Sequence, residues 1–460
     1  MKRPHIAWIG ALIAVALMTQ AFQCGSPEFT GAKVYIQQKN YKEAVRLLEA
    51  ETQKNPGNEE AWYLLGLTKG KDLDDYVGMN MAFNAALKLS NVHQREIHAL
   101  RYQKWVDHLN EGVNLLNKAM TDSSQYYDKS IHEFNRAIEA WSDTSLTYRY
   151  LGHAYNSKGV ADSAITAYTK AWDLGQDKEA YMRAGRLYTQ RGLDLKSKFE
   201  TDNAEKLHIM RGLADIDRGS YKNDVMQALG APDNVKKGPK NSKKEEWTYA
   251  KYNLTLVFEG DRVLTKTMSK PYDAGVDSTA YHNAEKEFSK AIAIFEKIKE
   301  VDPKDNQNLS LLLQAYVESN RIVEATAAFK QAVLNEPGNK TNHYILGVLH
   351  RTTGDFTDAI SEFKEALKID PAYGDALFDL GATYYNWGVD ILKAAQDKGE
   401  ENVEYKEKFK EALPYLEQVT QIKPDDAQVW ETLGTIYARL GQADKAQKAL
   451  DQADKIRQGK

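Results

Sequence analysis

Proline recurs at a fixed step in the second half of this chain. Pro303, Pro337 and Pro371 stand 34 residues apart, and Ala325 and Ala359, Phe329 and Phe363, and Ala332 and Ala366 keep the same step. A period of this length commits a chain to a repeat architecture. Each unit is too small to bury its apolar face alone, so neighbours must stack to share one continuous core. The repeated residues alternate small with large. Alanines and glycines let two backbones approach, and aromatic rings fill the space that remains.

Other stretches carry the same set of residues. One contains Tyr148, Leu151, Gly152, Tyr155, Gly159, Ala164, Tyr168 and Ala171. Another contains His343, Leu346, Gly347, His350, Gly354, Ala359, Phe363, Ala366 and Pro371. The last contains Trp430, Leu433, Gly434, Tyr437, Gly441, Ala446, Leu450 and Ala453, and Trp62, Leu65 and Gly66 open a further unit after Pro56. This pattern resembles the tetratricopeptide repeat, a helix–turn–helix unit. The resemblance implies a mainly α fold, an α-solenoid of about nine units between residues 30 and 455.

Three units are stretched, each at the turn between its two helices. Pro371 and Pro424 are 53 residues apart, Gly192 and Ala291 are 99 apart where five is normal, and Gly112 to Ser130 is a milder case. All three begin alike, as Gly112-Val113-Asn114, Gly192-Leu193-Asp194 and Gly388-Val389-Asp390. In the first and third the added residues keep a helical character, which predicts longer hairpin arms. Gly399 is expected to break the arm that Ile391, Leu392, Ala394 and Ala395 extend, with helix resuming from Val403 to Leu413.

The largest insertion changes period from helical to alternating over residues 207–270. Asp217 to Gly230 reads as a short helix, with Ser220 placed to cap it and Gly230 and Pro232 to stop it. A lysine-rich loop follows, from Lys236 to Lys244 and including Lys237, Lys240 and Lys243. Glu245 to Tyr249, Tyr252 to Phe258 and Arg262 to Thr267 then read as strands, which predicts helices on a three-stranded antiparallel sheet. Gly219-Ser220, Val225, Leu229-Gly230, Pro232-Asp233, Trp247-Thr248-Tyr249, Leu254, Phe258, Gly260 and Val263 resemble the BamE (SmpA/OmlA) family of small outer-membrane-associated lipoprotein domains. The expected division is residues 31–192 as an N-terminal repeat array, 193–280 as the insertion and 281–460 as a C-terminal array.

The start of the chain is of another kind. Lys2 and Arg3 precede an uncharged apolar run from Ile6 to Ala21, the layout of a secretory signal. Cys24, the chain's one cysteine, closes this run. The arrangement resembles a bacterial lipoprotein signal, which implies a signal peptide over residues 1–23, a lipid on Cys24 and a short linker over residues 24–30. Export and anchorage on a membrane facing the periplasm, the outer membrane first, are the expectation.

Residues for chemistry are sparse. A net charge of −4 with both signs interspersed leaves no footprint for nucleic acid. One cysteine excludes a disulfide framework and a cysteine-based metal site within the chain. Neither a nucleotide-binding glycine loop nor an HExxH motif occurs, so no cofactor, metal or small-molecule substrate is expected. His343 and His350 lie seven apart on one helix face but occupy framework positions where an aromatic packs. Asp74-Asp75 and Glu400-Glu401 read as solvated charges. In the family the first helix of each unit lines a groove, which here implies Tyr63, Arg149, His153, Asn156, Arg186, Tyr344, Arg351, Phe378 and Tyr385. Aromatic rings beside arginines suit recognition of a peptide or partner helix. The expected function is a non-enzymatic protein-interaction scaffold of the bacterial cell envelope, in assembly or trafficking. The alternative is a binding or inhibitory module whose insert contacts a single envelope enzyme or transporter.

Overall fold

The computed structural model describes residues 26–398 and 403–459. The expected signal segment, Cys24 and Gly399 lie outside the described residues. The chain divides into two compact units, one ending at Ala184 and the other beginning at Gly185.

The first unit consists of helix hairpins. Helices α1 (Pro27–Gln37) and α2 (Tyr41–Lys54) form the first, and α3 (Glu59–Asp72) and α4 (Tyr76–Leu89) the second. The third joins α5 (Gln94–Thr121) to α6 (Tyr126–Ala140), and the fourth joins α7 (Ser145–Lys158) to α8 (Ala161–Gly175). Helix α9 (Lys178–Asp202) runs across the boundary. In the second unit α9 is partnered by α12 (Thr279–Val301), after an insertion holding α10 (Ala204–Asp215) and α11 (Lys222–Leu229). Four more hairpins follow in that unit. They are α13 (Asn306–Glu318) with α14 (Ile322–Asn335), α15 (Lys340–Thr352) with α16 (Phe356–Ile369), α17 (Gly374–Lys398) with α18 (Glu404–Ile422), and α19 (Ala427–Arg439) with α20 (Ala443–Arg457). The stretched units have long arms, 28 residues in α5 and 25 in each of α9 and α17, against 14 in α3.

Contact between a glycine and a large residue closes most of these hairpins. A Cβ placed on Gly66 would lie 2.5 Å from the ring of Phe83, and one on Gly152 2.5 Å from Tyr168. Gly347 stands against Phe363 in the same way, and Gly185 and Gly192 of α9 stand against Phe295 and Phe288 of α12. Only a residue without a side chain lets the helices come this close. The periodic prolines act at the other end of the unit. Pro ends the outgoing helix, and two residues after Pro56, Pro303, Pro337 and Pro424 an Asn or Asp caps the next one. The Asn58 side chain accepts from the Ala61 amide at 3.1 Å, Asp305 from Asn308 at 3.1 Å, Asn339 from Thr341 at 3.1 Å and Asp426 from Gln428 at 3.0 Å. The proline carbonyls are used as well. Trp62 Nε1 donates to Pro56 at 3.0 Å and Trp430 Nε1 to Pro424 at 2.9 Å. His343 takes the same place, with Nε2 at 3.1 Å from the Pro337 carbonyl and Nδ1 at 2.7 Å from Glu362. Its ring is buried as a packing piece.

The insertion carries an antiparallel sheet in the order β1 (Asn234–Lys237), β2 (Lys244–Tyr249), β3 (Leu254–Glu259), β4 (Arg262–Met268). The sequence predicts three strands and a lysine loop. Lys236 and Lys237 instead pair with Glu246 and Glu245 as the fourth strand, and Lys244 opens β2. Every residue of β1 is exposed, so no apolar alternation could announce it. Ser220 also behaves differently: its hydroxyl accepts from the Asp217 amide at 3.0 Å, and the carboxylate of Asp224 takes the Tyr221 amide at 3.2 Å at the helix start. Ile209 and Leu213 of α10, Ile216 after it, and Val225 and Leu229 of α11 cover one sheet face. They pack with Trp247, Tyr249, Leu254, Leu256, Phe258 and Val263 in a core of their own. At the stem, Asn203 binds Asp277 twice. Its Nδ2 donates to the Asp277 carbonyl at 3.1 Å and its Oδ1 accepts the Asp277 amide at 3.0 Å.

Candidate functional site

First helices of successive hairpins touch, α3 with α5 and α5 with α7 in the first unit, and α13 with α15 and α15 with α17 in the second. The expected groove residues other than Arg186 sit on these helices, and two sets of them are drawn together by acids.

The second unit holds the more buried set. Tyr344 Oη donates to Asp379 Oδ2 at 2.8 Å, and Arg351 Nη2 lies 3.5 Å from Asp379 Oδ1. Tyr344 and Arg351 come from α15 and Asp379 from α17, so the acid ties adjacent repeats. Asp379 is 9% exposed. Burial raises its carboxyl pKa, and the opposing pull of Arg351 and the Tyr344 hydroxyl does not overcome it. Burial, followed by the charge of Asp379, pushes the Tyr344 phenol well above its ordinary value. Arg351 Nε is buried without a hydrogen-bond partner. The rings of Phe363 and Tyr373 stand 5.9 and 5.2 Å from Tyr344. Tyr385 stacks on Phe409 at 5.3 Å, and Phe378 is half-buried against the same core.

In the first unit, Arg149 of α7 reaches Asp177 at 3.5 Å and Glu179 at 3.2 Å, and Arg183 Nη2 donates to Glu179 at 2.9 Å. His153 lies edge-on to Tyr150 and Tyr168, at 5.9 and 5.7 Å. Burial, helped by the neighbouring Arg183, lowers the His153 pKa to about 4, so the ring is neutral at ordinary pH. Its Nε2 is buried without a hydrogen-bond partner. Asn156 is exposed one turn further along α7. Tyr63 stands apart from this set, stacked flat on His93 at 3.8 Å. In the second unit Arg186 is exposed on α9.

Sequence reasoning named Tyr344 and Arg351 and missed Asp379, which joins them. It likewise named Arg149 and missed Asp177, Glu179 and Arg183. A lone acid between Ala376-Leu377 and Leu380-Gly381 was the available signal, since a carboxylate inside an apolar helix run needs a partner. The two sets offer guanidinium forks, hydroxyls and aromatic faces, the means of non-covalent recognition. Among the described residues no group of three or more His, Cys, Asp or Glu is placed to hold a metal ion. No described helix is long and apolar enough to cross a membrane.

Comparison with known proteins agrees with the hairpin geometry. Family models described as tetratricopeptide repeat match residues 29–68, 311–382 and 406–459. Superkiller protein 3 of Schizosaccharomyces pombe is 33% identical over 84 residues, which are 18% of this chain and 6% of that protein. DnaJ homolog subfamily C member 3 of Gallus gallus is 24% identical over 255 residues, 55% of this chain and 42% of that one. The chain thus spans less than half the length of either relative. Two crystal structures of MamA are similar over part of the chain. One is 22% identical, covering 40% of this chain and 96% of its own with a TM-score of 0.29, and the other is 21% identical, covering 39% and 87% with a TM-score of 0.30. Matches to the tetratricopeptide repeat models thus lie on both sides of the four-stranded insert.

Proposed function

We propose that this protein is a non-enzymatic scaffold of the bacterial cell envelope that gathers protein partners on the first-helix face of its repeats. A lipid on Cys24 tethers it to a membrane, facing the periplasm, where it serves envelope or outer-membrane assembly or trafficking. The observation that carries the scaffold reading is the junction of Tyr344, Asp379 and Arg351, which sets a guanidinium with an unpartnered Nε among aromatic rings. Such pairings of Tyr and Arg concentrate binding energy at interfaces. The resemblance of the first 24 residues to a lipoprotein signal supports the tether.

Crosslinking followed by affinity purification from membranes tests the scaffold. Arg351→Ala together with Tyr385→Ala should lose the captured partners while the helical circular dichroism persists. An unchanged set of partners would overturn the assignment of this face. Cys24→Ala should release the protein from membranes, and continued attachment would sink the tether. The insert's separate core favours a second reading, in which the insert alone contacts one envelope enzyme or transporter. Removing residues 207–270 distinguishes the two: a scaffold keeps most partners, and a module of the second kind loses its single one.

A further inference from the structure

We propose that the outer edge of the sheet insert docks an acidic peptide segment, which adds beside β1 as a fifth strand. This site is separate from the first-helix face and does not depend on it.

The register leaves the edge open. Gly238 donates its amide to the Lys244 carbonyl at 2.9 Å, and Lys236 and Asn234 stand opposite Glu246 and Thr248 in the same alternation. In an antiparallel ladder the residues between such pairs turn their amide and carbonyl the other way. Val235 and Lys237 therefore present main-chain donors and acceptors away from β2. The whole strand is exposed, including the apolar side chain of Val235 at 44%. The opposite edge is not equivalent. There Gly219 donates to the Val263 carbonyl at 2.8 Å, Val263 donates to the Ser220 carbonyl at 2.9 Å, and Tyr221 bridges to Arg262. The β4 edge is thus taken up at its start by residues 219–221, whereas among the described residues no main-chain bond reaches the outer side of β1.

Charge decides which strand fits. Lys236, Lys237, Lys240, Lys243 and Lys244 fall within nine residues on this strand, its turn and the start of β2. Glu245, the nearest acid on the inner face, is already engaged by Lys222 at 2.8 Å. A lysine-bearing edge repels a second copy of itself and resists neutral strands. The same charges are complementary to a strand bearing Asp or Glu, and because side chains alternate, Lys236 and Lys237 serve its two faces. A cleft of about 160 Å³ between Lys236, Lys244, Glu246 and Val257 has room for a side chain of the added strand. Main-chain bonds would supply affinity and the lysines selectivity, the mode of recognition by strand addition.

The test uses the full chain and a fluorescent peptide of alternating Glu and Val, followed by anisotropy. Three probes accompany it: the same peptide with alternate main-chain amides N-methylated, a Lys/Val peptide, and anionic phospholipid vesicles. The Glu/Val peptide should bind, and N-methylation should weaken it by about tenfold or more at unchanged charge. The Lys/Val peptide should not bind. Val235→Pro deletes only an outward amide, which an edge strand tolerates, and it should reproduce the loss. Lys236→Gln with Lys237→Gln should weaken binding and flatten its salt dependence. Equal binding of the N-methylated peptide, or no binding of the Glu/Val peptide, overturns the proposal. So does binding of vesicles without binding of the Glu/Val peptide, which would assign the lysines to a lipid surface. The N-methylated peptide is read on the unaltered protein, so the result stands even if Val235→Pro perturbs the insert.

Discussion

The hairpins and the sheet insert bury apolar surface by different means. In a hairpin the core is a line of small residues against large ones, Gly347 against Phe363 and Gly185 against Phe295, and it stays open at both sides for the next unit. In the insert the core is closed. Helices α10 and α11 roof one face of β2 to β4, and the buried set ends with them. An open core shares every loss with its neighbours, whereas a closed core keeps its losses local.

Phe363→Ala should be the most damaging change, at about 3–5 kcal/mol, because the ring is fully buried. Urea unfolding measures the loss, and hydrogen exchange should rise in α17 as well as in α15 and α16. Protection lost in α15 and α16 alone would break the idea of a shared core. Leu256→Ala, also fully buried, should cost about 2–5 kcal/mol but act inside the insert. Exchange should rise across residues 207–270 while α15 to α18 keep their protection, and a uniform rise would contradict a closed core. Gly347→Ala should destabilise by about 1–3 kcal/mol through overpacking, since the added carbon would sit 2.7 Å from the Phe363 ring. Gly338→Ala meets nothing within 4 Å and is the matched control, with a melting temperature close to the parent's.

The smallest effect concerns acidity in the first unit. His153 has its pKa lowered from 6.5 to about 4 by burial and by Arg183 and Arg149, with Glu179 and Asp177 opposing. Between these values the unfolded ring binds a proton that the folded ring refuses. Its contribution to stability is complete above pH 6.5 and is lost as the pH falls toward 4. His153→Gln should flatten this part of the stability profile relative to the parent. Parallel profiles for the two proteins would show that the ring titrates normally.

The sequence made the repeat visible because packing at a fixed period leaves a mark at a fixed step. Small residues at Gly152 and Gly347 and large ones at Tyr168 and Phe363 recur where two helices come closest. The hairpin of α3 and α4 shows how tightly this holds: Phe83 sits one residue later than the period asks, and its ring still meets Gly66. Strand β1 was not legible because it is solvated on both faces, so its residues carry no alternation. The polar junctions were hidden for another reason. Asp379 lies 35 residues from Tyr344 and 28 from Arg351, and a single hydrogen-bonded pair leaves no period to follow. Arg149 and Tyr344 could be placed on a helix face from the repeat, and a lone acid such as Asp379 asks for a partner, but which groups pair follows from three-dimensional proximity.

Asn203 decides how separable the insert is from its host. By holding both main-chain groups of Asp277, it joins the departing and returning strands at one fastening point. Everything beyond the fastening is a detachable cassette, and the hairpin beneath needs only a short bridge to close without it. Such a socket lets the insert be cut away while the host array keeps its own seams.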